Sequence, residues 1–538
     1  MKKRILSLIL TVAMMLSVMT ILPISVSAEE NTWNYESGVY KISTYEDFQA
    51  FKAKVDGGTD FSGKTVTLEA DITLPDGHSA IGPNSGGTSR YFRGTFDGQG
   101  HTITFADEND NGQGQYGVFR RLDGATIKDL NLDGTIVIST EDSYAAPLAM
   151  EANGNCLIQN VHSSVYLSAT KNAYYVGGLV SYIKNASGHS LTFDGCVFDG
   201  KMNFPNFTKY SGGLLGYFEH TGAYLTIKNS VFAGTIMLND SNYSYRVGGF
   251  VGWGANVTIN DCISIGKITF NPAKSWTDSA DDDYRGTLIG EVKTNATLTN
   301  VYYFDVAAPE GYTTDYLPAI CKATNTPTTT NVVAKTAAEM AALTAINFSA
   351  ETKLSFKTST DIDTYYPCPT GLVKNGEWVD CLKVSVDAKV LGAQIRITEE
   401  NDPYSGIRFV AKFRESITDG AGTDDANFGL ILISASNYDK QSTIADLLAA
   451  GGVQVAATKS TTEDGIVTVK AVIYEIAEAY YAEGIVAIPY ADGVVIGSAV
   501  ERSIYSVAQA CVEANTDSDL AIEFAEDIIA TVEANAEA

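Results

Sequence analysis

Histidine, cysteine and proline are scarce in this chain of 538 residues, with five, seven and thirteen copies respectively. Five histidines leave few ways to build a Ser-His-Asp triad or a zinc site. Neither pattern is found, and a phosphate-binding loop is not found either. Seven cysteines are too sparse, and odd in number, for a disulfide scaffold. Motifs therefore assign no catalytic residue, and the fold must be held by packing and hydrogen bonds.

Basic charge is also scarce, because 37 Lys and Arg stand against 64 Asp and Glu, for a formal charge of −27. No basic stripe is present, so nucleic acid and anionic membrane surfaces are poor partners. Strong acidity suits a soluble secreted protein. The length of the chain implies more than one domain.

The first 28 residues have the pattern of a secretory signal. Lys2-Lys3-Arg4 precedes an apolar run from Ile5 to about Ile24, and Val26-Ser27-Ala28 supplies small residues for cleavage. An uncleaved membrane anchor is the alternative interpretation. We expect a secreted, extracellular or cell-surface protein that has no transmembrane span after signal cleavage.

A short phrase recurs six times between Gln115 and Val301, and it predicts stacked structural units. Its first half is a Gly-Gly-Leu-Val-Gly-like strand, and its second half is a strand that ends in Ile-x-Asn/Asp. The first halves read Tyr116-Gly117-Val118-Phe119, Ala146-Pro147-Leu148-Ala149, Gly177-Gly178-Leu179-Val180, Gly212-Gly213-Leu214-Leu215, Gly248-Gly249-Phe250-Val251 and Gly286-Thr287-Leu288-Ile289. The units leave no room for a crossover helix, so we expect a solenoid of parallel strands.

This stretch resembles the GLUG-motif proteins, a family of secreted or surface bacterial right-handed β-helices with pectate-lyase-like architecture. The resemblance covers about 60–320 and is clearest at Gly212–Ile236 and Gly248–Ile268. It is weak at Ala146–Val161, where Ala-Pro replaces Gly-Gly. The resemblance implies a right-handed parallel β-helix in a cell-surface setting, and it does not imply a reaction.

The polar residue at the end of the second strand recurs once per unit and predicts a structural ladder. Stacked side chains of this kind hydrogen-bond to the coil above and to the coil below. Gly195 interrupts the row and should leave a gap or a water molecule there. The ladder consists of Asp129, Asn160, Asn229, Asp261 and Asn300.

The pattern changes after Cys381 to strand-like alternation with turns, which predicts a smaller β-sandwich-like domain. Three segments resemble an uncharacterised module of clostridial secreted proteins, namely Leu391–Arg396, Gly406–Phe409 and Arg502–Ala508. That resemblance carries no assigned activity. Leu520, Phe524, Ile528 and Val532 indicate an acidic terminal helix.

These patterns predict a mainly β chain of five parts. They are a signal peptide at 1–28, a capping helix and β-helix at 29–320 with the repeats at 115–305, a C-terminal cap and linker at 321–382, a β-rich accessory domain at 383–515, and the acidic terminal helix at 516–538.

A loop before the first repeat copies the first half of a Ca²⁺-binding loop. Asp107, Asn109 and Asn111 place oxygen ligands at alternating positions before Gly112. The twelfth position is Val118 where an EF-hand has Glu, so a solvated acidic loop is the favoured alternative. We expect no other cofactor.

Aromatic residues crowd the middle repeats and are the strongest hint of a ligand. Aromatic faces stack on sugar rings, and Tyr is also favoured at protein interfaces. Outer-face packing without a ligand is the alternative. The candidate binding residues are Tyr174, Tyr175, Tyr210, Tyr217, Tyr243, Tyr245 and Trp253.

The leading hypothesis is a non-enzymatic secreted binding or adhesion protein that recognises glycans, surface polymers, or a host or bacterial surface protein. A polysaccharide-active lyase or hydrolase on the same scaffold is the first alternative. It would need clustered carboxylates beside an Arg, and Asp97 near His101 is not such a set. A structural spacer is the second alternative.

Overall fold

A computed structural model describes most of the chain from Tyr35 onward. The described residues are 35–36, 38–85, 88–106, 114–141, 143–184, 186–205, 208–239, 246–273, 284–308, 314–357, 363–384, 388–397, 406–414, 428–439, 442–456, 461–463, 466–491, 493–497, 499–514 and 518–537. The expected signal peptide and the candidate Ca²⁺ ligands Asp107, Asn109 and Asn111 lie outside them. Within these ranges, no helix has the length and apolar character needed to cross a membrane.

The entry to the fold is a helix among short strands. The helix α1 (Tyr45–Asp56) begins at a capping box in which Thr44 and Asp47 satisfy each other's backbone N–H groups. The strands are β1 (Tyr35–Glu36), β2 (Val39–Ile42), β3 (Thr65–Leu68), β4 (Ile72–Leu74), β5 (Asn84–Ser85), β6 (Thr88–Ser89), β7 (Thr95–Asp97) and β8 (Thr102–Phe105).

The helix α1 covers the first coils of the core. Phe48, Phe51 and Val55 are buried on one face of the helix. The Phe51 ring lies 5.2 Å from Phe61 and 5.5 Å from Phe92, centroid to centroid. An open solenoid end would expose apolar side chains to water, and this helix buries them instead.

The solenoid strands follow in regular succession. They are β9 (Gln115–Tyr116), β10 (Phe119–Asp123), β11 (Thr126–Ile138), β12 (Ser143–Ala145), β13 (Ala149–Asn153), β14 (Asn155–Ser163), β15 (Tyr166–Ala169), β16 (Ala173–Gly177), β17 (Val180–Ile183), β18 (Ser190–Asp194), β19 (Val197–Phe198), β20 (Lys201–Phe204), β21 (Thr208–Gly212), β22 (Leu215–Tyr217), β23 (Tyr224–Lys228), β24 (Val231–Phe232), β25 (Thr235–Leu238), β26 (Arg246–Gly248), β27 (Val251–Ser264), β28 (Lys267–Phe270), β29 (Tyr284–Gly286), β30 (Ile289–Tyr303), β31 (Ile320–Ala323) and β32 (Thr328–Ala334).

Each strand pairs in parallel with its equivalent one coil later. One series runs β10, β13, β17, β22, β27, β30 and β31, and a second runs β9, β12, β16, β21, β26 and β29. The buried aliphatic and phenylalanine side chains of all coils form one continuous core. The predicted mainly β fold with a parallel solenoid is therefore confirmed.

Glycine pairs form the corner between these two series. A Cβ on Gly178 would lie 2.0 Å from the Gly213 carbonyl oxygen, and a Cβ on Gly213 would lie 2.0 Å from that of Gly249. Adjacent coils thus meet backbone against backbone at this corner, which explains why the phrase repeats Gly-Gly.

The predicted ladder residues occupy a turn with left-handed backbone. Their φ values lie between 50° and 52°, a region that Asn and Asp tolerate better than other side chains. Asn160 donates to Asp129 at 2.8 Å, and Asn300 donates to Asp261 at 2.9 Å. The row continues one coil further, where Asn331 (φ 54°) donates to Asn300 at 3.1 Å.

Gly195 has no side chain that could continue the row beyond Asn160. It takes the left-handed position of its coil, with φ of 72°, while the carboxylate of the preceding Asp194 takes over the acceptor role. Asn229 Nδ2 donates to Asp194 Oδ1 at 2.8 Å. Asp194 is only 3% exposed, so this contact is a buried hydrogen bond.

Parallel pairing extends past the boundary at 320 that the sequence predicts. Ile320 pairs with Ile289, and Thr328 to Thr330 pair with Thr297 to Thr299. The composition of this Thr-rich segment suggests a spacer. Thr is β-branched, however, and fits a strand that stacks on other β-branched residues. The final coil therefore runs to Ala334.

Residues 336–357 and 363–384, here called the lateral strap, run back along the side of the solenoid. The strap contains α2 (Ala337–Ala341), β33 (Leu354–Ser355), β34 (Thr364–Tyr365), β35 (Cys368–Pro369) and β36 (Lys383–Val384). Phe348, Leu354 and Leu372 pack with Val197, Val231 and Ile263 of the coils. The sequence assigns this region as a C-terminal cap, whereas its contacts lie along the side of the coils.

The strap contacts the ladder itself. Ser349 N donates to Asp261 at 2.9 Å, and Lys353 N donates to Asn229 at 2.8 Å. Lys353 Nζ lies 2.9 Å from Asp194, and Lys374 Nζ donates to the Gly100 carbonyl at 2.8 Å. The ladder is thus bonded both along the solenoid and outward to the strap.

The C-terminal region forms two antiparallel sheets and three helices. The elements are β37 (Ala388–Arg396), β38 (Gly406–Arg414), β39 (Phe428–Ser434), α3 (Ile444–Ala449), β40 (Val453–Ala456), β41 (Thr461–Glu463), β42 (Ile466–Tyr474), β43 (Ile485–Ala491), β44 (Val494–Val495), β45 (Val500–Arg502), α4 (Ile504–Ala514) and α5 (Asp519–Glu537). One sheet has the order β37-β38-β42-β41, and the other contains β40-β39-β43-β44 with β45 beside β43. Phe409, Leu430, Ile504 and Ile528 share one core.

Replacing Asn229 by Leu should destabilise the solenoid by about 2–4 kcal/mol, because Leu strains the left-handed turn and removes the hydrogen bonds that Asn229 makes with Asp194 Oδ1 and Lys353 N. Chemical denaturation monitored by circular dichroism measures this loss. Asn229→Gly should give a smaller loss, since Gly relieves the strain. Asn331→Leu, at the exposed last coil, serves as the matched control. Equal stability of Asn229→Leu and the unmodified protein would contradict the ladder.

Acid should weaken the solenoid through Asp194. Burial alone would raise the pKa of this carboxyl, but hydrogen bonds from Lys353 and Asn229 and the charge of Lys228 hold its pKa below the usual range. A depressed folded-state pKa contributes stability above the unfolded value of about 3.9, and this contribution is lost as pH falls through the folded value.

Melting temperatures between pH 2 and 7 test this linkage. Asp194→Asn should melt lower than the unmodified protein at pH 7, and the two should converge towards pH 2. Asp76→Asn, which alters an exposed carboxyl, should leave both the stability and its acid dependence unchanged. Parallel melting curves for Asp194→Asn and the unmodified protein across this range would refute the assignment.

Candidate functional site

Two neighbouring columns of large outward side chains flank the Gly-Gly corner, and together they form what is here called the aromatic–ionic face. Each column is a series of residues in parallel register, one per coil. The first column is Arg121, Glu151, Tyr182, Tyr217, Trp253, Glu291 and Lys322. The second column is Tyr144, Tyr175, Tyr210, Arg246 and Tyr284.

The repeat itself places these side chains. A first-column residue stands two positions after the four-residue phrase, as Trp253 does after Gly248-Gly249-Phe250-Val251. A second-column residue lies two positions before the first Gly, as Arg246 does. Side chains alternate along a strand, so both positions point away from the core, and the glycine corner brings the two columns together.

The aromatic rings of the face stack on one another from coil to coil. Tyr144 and Tyr175 are stacked with centroids 4.6 Å apart, and Tyr175 and Tyr217 are stacked at 4.3 Å. Tyr210 stacks on Tyr217 at 4.8 Å and lies 5.1 Å from Trp253. Such contacts hold each ring in one orientation, so the surface is preorganised.

A buried ion pair continues the face beyond Trp253. Arg246 Nε lies 2.6 Å from Glu291 Oε2, and the two side chains are 9% and 10% exposed. The Arg246 guanidinium also lies 4.6 Å from the centre of the Trp253 ring and 5.1 Å from that of Tyr284. Lys322 Nζ in turn lies 4.1 Å from the centre of the Tyr284 ring. The cations are therefore held between aromatic faces.

A second ion pair lies at the opposite end of the column. Arg121 Nε lies 3.1 Å from Glu151 Oε2, which also accepts a 2.6 Å hydrogen bond from the Tyr182 hydroxyl. Burial and the neighbouring Glu151 carboxylate raise the pKa of Tyr182 well above its usual range. Tyr182 is therefore a neutral hydrogen-bond donor at every physiological pH.

The centre of the face holds a further carboxylate, Glu219. Its side chain lies 3.3 Å from Lys293 Nζ. Burial is the main cause that raises the pKa of the Tyr217 hydroxyl, and the hydrogen bond with Glu219 raises it further. The nearby Trp253 Nε1 is buried and has no hydrogen-bond partner among the described residues.

The structure places the candidate binding residues in different environments. Tyr175, Tyr210, Tyr217 and Trp253 lie together in the face, and Tyr174 lies 6.3 Å from Tyr175 at its margin. Tyr210 and Tyr217 are only 4% and 6% exposed, so they support the face more than they present a surface. Tyr175 and Trp253 are half-buried. Tyr243 and Tyr245 lie outside the described residues.

Sequence reasoning missed most of the charged members of the face. Arg121, Glu151, Arg246 and Glu291 stand at repeat positions where Tyr or Trp stands in other coils, so a search for aromatic crowding passes over them. Tyr144, Tyr182 and Tyr284 were missed because they are isolated in sequence. Aligning the repeats on the glycine pair and reading each position as a column would have found all of them.

The described residues give little support to a metal site or to a catalytic pair of carboxyl groups. No group of three or more His, Cys, Asp or Glu side chains there is arranged to hold a metal ion. His101 contacts Asp71 at 3.2 Å and does not form a pair with Asp97, whose carboxylate binds Lys128 at 2.6 Å. Glu151 and Glu291 are four coils apart, about 19 Å at ~4.8 Å per coil. Glycosidase carboxyl pairs lie roughly 5–10 Å apart.

Comparison with known proteins gives the chain no family. No protein-family model matches it, and no curated protein matches its sequence. Among solved structures it is similar to a protein from Bacteroides ovatus described provisionally as an immunoglobulin A1 protease, with 16% identity and a TM-score of 0.34 over 57% of this chain and 87% of that chain. It is also similar to a structure titled IgA1 protease, with 19% identity and a TM-score of 0.30 over 55% of this chain and 22% of that chain. At these scores the two likenesses carry no argument about function.

Proposed function

We propose that this protein is a secreted or cell-surface binding protein of the GLUG type, whose solenoid recognises a glycan or another surface polymer along the aromatic–ionic face. The observation that carries the proposal is the continuity of the face, because one column holds a large aromatic or charged side chain on seven successive coils. The C-terminal sheets act as an accessory module in this proposal.

The chemistry of the face suits a linear polymer of sugar rings. The half-buried rings Tyr144, Tyr175, Tyr182, Trp253 and Tyr284 offer edges and partial faces to a ligand, and they lie on four of five successive coils of the solenoid. Sugar rings present C–H faces to aromatic side chains and hydroxyls to charged ones. Repeated weak contacts along one polymer sum to useful avidity.

Binding is favoured over cleavage because the carboxylates of the face already have partners. Glu151 and Glu291 are each held by an arginine at hydrogen-bond distance, which fixes their orientation. A carboxylate that already binds an arginine is less free to act on a substrate.

A cleaving enzyme remains the second candidate because of Glu219. This residue and Glu291 lie on either side of the Trp253 coil, with Lys293 and Arg246 beside them. Carboxylates with cations beside them are groups that a lyase or hydrolase uses. A release assay separates the two functions.

Trp253→Ala should weaken polysaccharide binding by about tenfold or more, since loss of a central aromatic anchor costs at least about 1.4 kcal/mol. The measurement is co-sedimentation with insoluble polysaccharides after screening on a glycan array. Trp253→Phe should retain part of the affinity. Tyr224→Ala removes a tyrosine that is 56% exposed and outside the face, so it should bind normally. Equal loss in Tyr224→Ala and Trp253→Ala would contradict a site at the face.

Reducing-sugar release from every bound polysaccharide should stay at background for the unmodified protein. If sugar is released, the binding proposal fails and the enzyme takes its place. In that event Glu219→Gln and Glu291→Gln, compared with Glu141→Gln on an exposed loop, would show whether the face carries the activity.

A further inference from the structure

An apolar cleft opens between the two C-terminal sheets, far in sequence from the aromatic–ionic face. It has a volume of about 400 Å³ and is lined from one sheet by Val453 and Val455 and from the other by Val472 and Tyr474. Val455, Ile473, Ile476 and Ile485 both line the cleft and pack against the core of this region. The cleft is thus the core of the sandwich left open along one seam.

The rim of the cleft exposes apolar side chains to water. Val453 is 61% exposed, Tyr480 is 59% exposed and Tyr474 is 45% exposed. The cost of such exposure is about 25 cal/mol for each Å² of apolar surface. Contiguous exposed apolar surface of this kind marks a place where another molecule binds.

The polar groups of the cleft are concentrated at Glu483, which alone among the described lining residues is charged. The Ser434 and Ser436 hydroxyls both donate to Oε1 of this carboxylate. Oε2 receives no hydrogen bond from any described residue, so one carboxylate oxygen is oriented and free at the mouth. Glu475 and Glu478 lie in the exposed segment beside it. This end of the cleft favours a cation.

The strand β40 adds a third feature, a free sheet edge. It pairs with β39 alone among the described strands, so its other side presents unpaired backbone N–H and C=O groups. Val453 and Val455 alternate along it and share the face that lines the cleft. An added strand could therefore satisfy the backbone while inserting alternate side chains into the cleft.

We propose that this cleft binds an extended peptide segment of a partner protein, which pairs with β40, inserts aliphatic side chains between the sheets and places a lysine or arginine on Glu483. A fatty or other apolar small molecule would fill the cleft but would leave the edge of β40 unpaired. An acidic segment would face Glu483, Glu475 and Glu478 with like charge. The occupant that fits all three features is a basic, aliphatic strand.

The test uses the full mature protein and a capped hexapeptide, Val-Thr-Val-Thr-Lys-Thr, in which the two Val and the Lys share one face of the strand. It is called the Lys/Val peptide, and fluorescence anisotropy is the readout. The matched Glu/Val peptide has Glu in place of Lys. We expect saturable binding of the Lys/Val peptide that weakens with added salt, and no binding of the Glu/Val peptide. Glu483→Gln should raise the dissociation constant about tenfold and reduce its dependence on salt.

Edge pairing is tested by a variant that should still fold. Val453→Lys places a charge on the exposed edge of β40 and should abolish binding of the Lys/Val peptide. The control is Val494→Lys, since Val494 is 60% exposed on β44, another edge strand that does not line the cleft. Equal binding by Val453→Lys and Val494→Lys would overturn the proposal. Binding of a neutral fatty alcohol in the cleft, with no binding of either peptide, would overturn it as well.

Discussion

The closeness of the coils at the glycine corner is the constraint on which the rest of the solenoid depends. Where Gly178, Gly213 and Gly249 stack, each would place a Cβ within 2.4 Å of a carbonyl oxygen of the next coil. With no side chain between them, successive coils have one spacing and one register. Every other position of the repeat therefore becomes a column. The ladder is one such column, and the aromatic–ionic face consists of two more.

The ladder also explains why the lateral strap lies where it does. An Asn or Asp side chain in the left-handed turn has more hydrogen-bonding capacity than its neighbour in the next coil uses. Asn229 and Asp261 use this remaining capacity to accept hydrogen bonds from the backbone N–H groups of Lys353 and Ser349, respectively. Lys374 reaches Gly100, 274 residues earlier in the chain. Contacts of such sequence separation form only after the coils exist, so the strap must dock late in folding.

The periodic features of this structure could be predicted from sequence, and the features that depend on contacts between distant segments could not. The solenoid and the ladder residues follow from a repeated phrase. The course of the lateral strap depends on side chains such as Phe348 and Leu354 that meet Val197 and Val231 from far away in the chain. The helix α4 (Ile504–Ala514) was missed because it follows a run of strands, although Ser503 directly before it accepts a hydrogen bond from Ser506 N and is a helix start signal.

The candidate site shows the same division. Tyrosine crowding near residues 174–217 identified the middle of the face, since stacked coils bring neighbouring repeats together. The ion pairs at its ends needed the register, because Arg246 and Glu291 are 45 residues apart. No local pattern predicts that Glu219 should reach Lys293, 74 residues later.

Another outward column of the same solenoid shows what the fold requires when no ligand is involved. In register one coil apart stand Thr95, Thr126, Leu157, Thr192, Thr226, Thr258, Thr297 and Thr328. Threonine is well suited to a stacked strand, because its β-branched side chain packs on the equivalent side chains of the neighbouring strands. The aromatic–ionic face has no threonine at any coil. At two points it buries a charged pair, although a well-packed apolar pair of similar volume often gives equal stability. Stacking of the coils gives no reason for these ion pairs, whereas the proposed recognition of a polar polymer along this face would give one.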